Sequence, residues 1–292
     1  MSRLIINADD FGLTAGVNRA ILELHAAGVL TSTTLMARAG ATDEAQERAQ
    51  GARTLGVGCH VVLVDGAPTL QAAEIPTLVE RGTDLFRDSL VAFLARLLTG
   101  RISAAEIEAE AHAQIEALQS RGLKLTHVDT HKHTHMFPAV LRPVLRAARK
   151  AGIRAVRNPF EPAWAVRATA GASWARAAEV NVLRRMQDRC RQIIAEEGFV
   201  TTNGTIAVVG TGIFNAEMVR SLLGQLPEGT WELVTHPGYN DADLDKVRTR
   251  LRASREVEML ALAAVKEFKG IELISYRNLS AEAANGAPGS AS

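Results

Sequence analysis

The sequence predicts an α/β fold, a distorted (β/α) barrel of the TIM type with mostly parallel strands. Three observations predict it. Short apolar or β-branched runs alternate with helix-period segments almost from end to end, as β–α units around a parallel sheet do. About seven or eight strand segments suit a closed or incomplete barrel at this length; an open doubly wound sheet is the second architecture the pattern allows. Most of the polar clusters with chemical potential stand at the ends of strand segments, where such a barrel gathers its site.

The elements follow in order. Leu4–Ala8 is a short buried strand that stops at Asp9 and Asp10. Val17–Ala27 repeats apolar residues at helical spacing and ends at Gly28. Val29–Met36 and the β-branched run Val57–Val64 read as strands, with a helix over Ala41–Gln50 between them. Helices are expected over Asp84–Leu98, over Ala104–Arg121 and over Pro138–Ala151, the last opened by proline and closed by Gly152. Leu125–Val128 and Arg154–Arg157 are short strands. Trp174–Glu197 and Asp243–Glu267 read as long helices. Thr205–Val209, Trp231–Thr235 and Ile271–Leu273 are strands, with a helix over Ala216–Gln225. No repeat or linker interrupts residues 1–280, so one catalytic-sized domain is expected. Residues 281–292, rich in Ala, Gly, Ser and Pro, read as a disordered tail.

Composition narrows the function classes. Hydrophobic residues at 47% supply a core, which excludes a wholly disordered chain. Lys and Arg total 33 against 32 Asp and Glu, a net charge of +1, so no global field recruits nucleic acid. Two cysteines, Cys59 and Cys190, are too few for a disulfide framework or a thiolate zinc site. The N-terminal apolar run is too short for a signal peptide, and Phe199–Ala216 is too rich in Gly, Thr and Asn for a membrane span. A cytoplasmic protein is the expectation, with peripheral membrane contact and a homodimer left open.

The histidines carry the strongest chemical signal. Four of the eight fall within nine residues, His127, His131, His133 and His135, and imidazole is the commonest ligand for transition metals. Asp9 and Asp10 follow the first strand, Asp129 and His131 follow Leu125–Val128, and His236 follows Trp231–Thr235. His60 lies within its strand. A bend after Ala8 would let both acids reach one site. One would then bind metal while the other stays free as a base, as metal-assisted hydrolysis requires; a helix cap or Asx turn is the plain alternative for such a pair. Gly12 is expected to supply a positive φ or a close backbone approach in the turn. His25 and His112 sit in helical patterns as ordinary residues, and Cys59 as a small core residue. Gly210-Thr-Gly212 reads as a loop sooner than a phosphate cradle. Trp164 and Trp174 fit either a pocket or the core.

The segments NADDFG at the N-terminus, GVGCHVVLVDG around His60, HVDTHKHTHMFP around His131 and THPG around His236 resemble, in order and spacing, the YdjC-like carbohydrate deacetylases. The likeness runs from Leu4 to about Tyr276. LVDG after His60 and VRNPFEP at Val156–Pro162 resemble the hopanoid-biosynthesis branch more than the chitooligosaccharide branch. The resemblance implies a distorted barrel and a divalent metal held by Asp10, His60 and His131. It implies Asp9 as general base and, by similarity to NodB-type enzymes, Arg157 as its partner, with His236 as general acid. Asp129, His133 and His135 would orient ligands or touch substrate. This chain has Lys132 where the family often has a second histidine.

The expected reaction is hydrolysis of an acetamido group on a sugar, either a chitooligosaccharide or an N-acetylglucosaminyl group on a hopanoid or other glycolipid, with release of acetate. Ligand type leans to Zn²⁺ and the resemblance to Mg²⁺; Mg²⁺ is placed first. If the substrate is a lipid, apolar residues near Phe160 and Trp164 would meet the membrane. Two other readings compete. A phosphoesterase or cyclic amidohydrolase on the same barrel would more often need two metals, and a sugar- or lipid-binding protein with a relic site could dispense with Asp9.

Overall fold

The computed structural model describes residues 1–284. In chain order the elements are β1 (Ser2–Phe11), α1 (Ala15–Ala26), β2 (Ser32–Leu35), α2 (Thr42–Gly51), β3 (Gly56–Val61), α3 (Leu90–Leu98), α4 (Ala104–Gln119), β4 (Val128–Thr130), α5 (Pro138–Lys150), α6 (Ala163–Ala168), α7 (Trp174–Leu183), α8 (Gln187–Glu196), β5 (Gly204–Ile206), α9 (Ala216–Gly224), β6 (Gly229–Thr235), α10 (Ala253–Ala261), β7 (Ile271–Leu273) and α11 (Tyr276–Ala284). The strands are all parallel, in the order β4-β3-β2-β1-β6-β5, with β7 on the first three residues of β1.

The remaining gap is spanned by the segment after α5. Arg157 N–H donates to Val128 O at 3.1 Å and Thr205 N–H to Phe160 O at 3.3 Å, tying that segment to β4 on one side and β5 on the other. The result is the expected distorted barrel. The strand expected at Arg154–Arg157 is reduced to isolated bridges at Ala155 and Val156.

Alternation along β1 sorts the core into two environments. Leu4, Ile6 and Ala8 pack outward in the main apolar cluster beneath the helices, while Ile5 joins Ala155, Ile274, Tyr276 and Leu279 in a small cluster that plugs the barrel floor. Asn7 and Asp9, on the same face as Ile5, are the next interior positions upward, and both are buried. The barrel is therefore apolar at its floor and increasingly charged toward the C-terminal ends of its strands.

Several expected boundaries shift. β1 runs through Asp9 and Asp10 to Phe11 instead of stopping at Ala8, and Asp129 lies inside β4 instead of after it. The helix expected from Asp84 begins at Leu90, where Ser89 Oγ caps it; upstream, Phe86 is held by a bridge to Val79. The helix expected over Trp174–Glu197 is divided into α7 and α8 by a 3-10 turn at Arg184–Met186. That expected over Asp243–Glu267 is α-helical only in α10, because Arg252 reaches back to the carbonyls of Asp245 and Val247 and holds the preceding chain as a loop. Helix α11 was not expected, and its last four residues take up the start of the predicted tail; residues 285–292 lie outside the described residues.

Candidate metal centre and its acid–base pair

The two adjacent acids are separated by a bulge. The β1–β2 register shifts between Ala8 and Phe11, and Asp10 has φ +64°, so the alternation of a strand is broken there. Asp9 stays on the interior face while Asp10 swings toward the strands beside it. Gly12, at φ +91°, completes the turn, its N–H donating to Asn18 Oδ1 at 2.7 Å. A side chain at Gly12 would be strained by that φ and would bring its Cβ to 3.0 Å from Leu35 Cδ1 and 3.2 Å from Thr42 Cα.

Three donor atoms converge beside this bulge. Asp10 Oδ1 lies 3.6 Å from His60 Nε2 and 3.5 Å from His131 Nδ1, and the two nitrogens are 3.2 Å apart. Donors about 2.1 Å from a shared ion stand about 3.0 Å apart at octahedral and about 3.4 Å apart at tetrahedral angles. The triangle therefore fits one divalent cation. Its orientation is fixed from behind. His60 Nδ1 bonds Asp129 Oδ1 at 2.7 Å, which turns Nε2 toward the triangle, and Arg255 Nη2 donates to Asp10 Oδ2 at 2.6 Å, which leaves Oδ1 free.

Asp9 belongs to a second constellation. Its two oxygens accept from Arg157 Nη2 at 2.6 Å and Nη1 at 2.8 Å, a bidentate pair. The same fully buried guanidinium contacts Asp129 Oδ2 at 2.5 Å and Glu232 Oε1 at 2.7 Å. Glu232 in turn accepts from Tyr276 Oη at 2.5 Å and Thr205 Oγ1 at 3.2 Å. Asp9, His60 and Asp129 also approach closely enough to form a cation site, but Arg157 already supplies the positive charge there.

His236, directly after β6, sets Nε2 3.8 Å from Asp9 Oδ2 and Nδ1 3.7 Å from Glu258 Oε2. Glu258 also accepts the His236 backbone N–H at 2.6 Å. Arg255 and Glu258 are one turn apart on α10, both buried, so this helix braces a candidate ligand and the candidate acid together.

Burial and charge set the protonation states. Burial alone would raise Asp9, but Arg157 holds it below the usual carboxylate range; burial likewise opposes, and Arg255 and the two imidazoles overcome, so that Asp10 lies well below it. Burial would lower His236, and Glu258, Asp9 and Asp10 raise it above the ordinary imidazole value. His60 is pushed up to about 9, Asp129 outweighing its burial.

The remaining expected residues divide. His133 lines the cleft, in a turn where Lys132 and His133 both have positive φ, and Lys132 Nζ bonds Asp65 Oδ2 at 2.7 Å. His135 is buried with Nδ1 on Thr130 Oγ1 at 2.7 Å, and burial lowers it to about 4. His25 and His112 make only local contacts, with Leu30 O and Thr54 for the first and Glu116 for the second. Phe160 is buried, and Trp164, half-buried, packs edge-on against Trp231; Trp174 is exposed, at 84%. Glu232, Arg255, Glu258 and Tyr276 were not anticipated.

The chain matches the family profile described as YdjC-like protein over residues 3–269. It belongs to the YdjC-like family. Family relatives include a carbohydrate deacetylase of Brevibacillus brevis, 32% identical over 286 residues that cover 95% of this chain and 99% of the relative. A chitooligosaccharide deacetylase of Escherichia fergusonii is 38% identical over 152 residues, 51% of this chain and 57% of that one. A crystal structure from Enterococcus faecalis, of a protein proposed to cleave cellobiose phosphate, superposes with a TM-score of 0.72 at 26% identity and covers 95% of this chain and 98% of its own. The YdjC-like fold is thus shared over nearly the whole length. Among the described residues no helix is long and apolar enough to cross a membrane.

Proposed function

We propose that this YdjC-like chain is a metal-dependent hydrolase that removes the N-acetyl group from an acetamido sugar, releasing acetate and a free amine. The observation that carries the reading is the division of labour between Asp9 and Asp10: one faces a three-donor cation triangle, the other is turned onto Arg157 with His236 beside it. The names of the Brevibacillus and Escherichia relatives support the substrate class.

Asp10, His60 and His131 would hold the cation. When bound, it polarises the acetamide carbonyl and lowers the pKa of a water molecule, so that even a weakly basic carboxylate suffices to deprotonate it. Asp9, ionised at neutral pH, takes that proton as the water oxygen bonds to the carbonyl carbon. Arg157 keeps the Asp9 carboxylate in one orientation throughout. His236, charged through its contacts with Glu258 and the two acids, gives a proton to the nitrogen as the C–N bond breaks. One cation serves this scheme, since Arg157 stands where a second would be needed. This favours an amide hydrolase over a two-metal phosphoesterase.

Mg²⁺ is the cation we assign first, with Zn²⁺ as the alternative the two imidazoles favour. For the finer substrate we infer a hopanoid-linked N-acetylglucosaminyl group from the LVDG and VRNPFEP segments, with chitooligosaccharide as its competitor. The deciding assay is acetate release from diacetylchitobiose and from an N-acetylglucosaminyl hopanoid, with Mg²⁺, Zn²⁺ or EDTA. Release that needs metal is expected, and the preferred substrate selects the branch. Undiminished release in EDTA after full metal removal, or no release by metal-loaded protein, would sink the reading.

Metal uptake should also depend on pH in a defined direction. Without metal, His60 titrates near 9, so at neutral pH it carries a proton that a cation must displace. Affinity should therefore rise with pH up to about 9, and calorimetry at pH 7 in buffers of different ionisation enthalpy should register about one proton released per cation. Affinity flat between pH 6 and 9 would contradict this protonation state.

A further inference from the structure

Five non-glycine residues among those described have left-handed backbone: Asp10, Asp65, Lys132, His133 and Ala207. Such conformations cost free energy and persist only where neighbouring contacts fix them. Asp10 is held by Arg255, and Asp65 and Lys132 by their ion pair. Ala207, φ +71°, lies across the barrel in the loop that joins β5 to α9, and what fixes it is a carboxylate the proposed chemistry does not use. Glu161, only 1% exposed, accepts the Ala207 N–H on Oε1 at 2.8 Å and the Val209 N–H on Oε2 at 2.7 Å. Burial pushes this carboxyl up to about 7, against the facing N–H groups of residues 207–209 and the charge of Arg176.

The loop so held is a wall of the cleft. Val208, Thr211 and Gly212 line the same cavity as Asp9, Asp10, His60 and His131. The loop has further bonds of its own, Thr211 N–H and Oγ1 to Val208 O at 3.3 and 2.9 Å, but among the described residues only Glu161 ties it by hydrogen bonds to the barrel-closing segment, which is itself bonded to β5 through Phe160 O.

We propose that Glu161 is a positioning residue for substrate: it clips the β5–α9 loop to the barrel so that Val208, Thr211 and Gly212 form a fixed wall of the cleft. The proposal takes its substrate from the deacetylase reading. It separates sugar binding, which the wall serves, from the metal and the acid–base pair, which stand on β1, β3, the turn after β4, and the chain just after β6.

The test is Glu161→Gln, which places an amide N–H₂ against a backbone N–H. In the otherwise wild-type enzyme, KM for diacetylchitobiose should rise roughly fivefold to tenfold, the loss of about one hydrogen bond. The kcat should stay within about twofold and Mg²⁺ affinity should be unchanged. Hydrogen exchange at the Ala207 and Val209 amides should accelerate. A purely structural role would lower the amount of folded enzyme without moving KM. Binding is measured in parallel on metal-loaded Asp9→Asn protein with and without Glu161→Gln, which reads the sugar without turnover. If the wild type binds sugar but releases no acetate, the deacetylase reading falls while the clip is still judged by that binding difference. Should Glu161→Gln not fold, Thr211→Ala loosens the same loop without a buried change and should raise KM in the same direction. Unchanged sugar affinity with both amides exposed, or kcat and metal affinity falling together with KM unchanged, overturns the proposal.

Discussion

Asp9→Asn is expected to lower kcat by about 10²- to 10⁴-fold with metal still bound and the fold intact. The amide keeps the shape of the carboxylate and one acceptor for Arg157, but it cannot take a proton. Asp10, His60 and His131 are untouched, so metal titration of the variant should match wild type. The pH profile of the wild type adds a second check. Asp9 is held below the ordinary carboxylate value, so at saturating metal no acid limb from it is expected above about pH 4. His236 is raised above the ordinary imidazole value, so the basic limb of kcat should lie above about pH 6.5 and move down when Glu258 is changed to Gln. Loss of metal together with activity in Asp9→Asn would instead place Asp9 among the ligands. An unshifted basic limb in Glu258→Gln would remove His236 from the role of acid.

How much of this site could be read beforehand depended on where each side chain sits along its element. The acids at Asp9 and Asp10 and the histidines at 60, 131 and 236 stand at or near the C-terminal ends of strands, and in a parallel barrel that position alone brings them together. The bulge that parts Asp9 from Asp10 left only a faint trace, since nothing in NADDFG but Gly12 marks a departure from extended chain. Glu232 was invisible for a different reason. In WELVT it reads as the solvent-facing residue of an alternating strand, and only closure of the barrel turns that face inward onto Arg157.

Arg255 and Glu258 do carry a signal in the sequence. With Leu262 and Val265 they occupy one stripe at helical spacing, and all four are buried. Charges on an otherwise apolar stripe are costly unless paired, so their presence there points to partners across the interface, which prove to be Asp10 and His236. The broken helices had no comparable cue. The stretch from Asp243 to Arg252 contains neither glycine nor proline, and it is kept from α-helix by Arg252, whose guanidinium takes up the carbonyls of Asp245 and Val247. That is a tertiary override of local propensity.

The largest effect on stability is expected from Arg157→Met. The guanidinium is the shared partner of Asp9, Asp129 and Glu232, and none of the four groups reaches water to any extent. Removing it leaves three carboxylates within a dry interior, which should cost about 3–5 kcal/mol in urea unfolding at pH 7, together with the activity. Arg157→Lys should recover only part of the loss, because an ammonium offers a point charge where the fork serves several oxygens at once. The pH dependence tells this cause from simple loss of packing. In the wild type, Asp9 and Asp129 are depressed below their unfolded values. Their contribution is therefore complete above about pH 4 and lost as pH falls through the folded values. Without Arg157 the same carboxyls are raised by burial, so the folded state takes up protons more readily than the unfolded state and gains stability as pH falls. The deficit of Arg157→Met should accordingly be greatest near neutrality and shrink between about pH 7 and pH 4. A deficit constant across that window would mean that the residue acts by filling space, and that the orientation of Asp9 has to be sought elsewhere in the site.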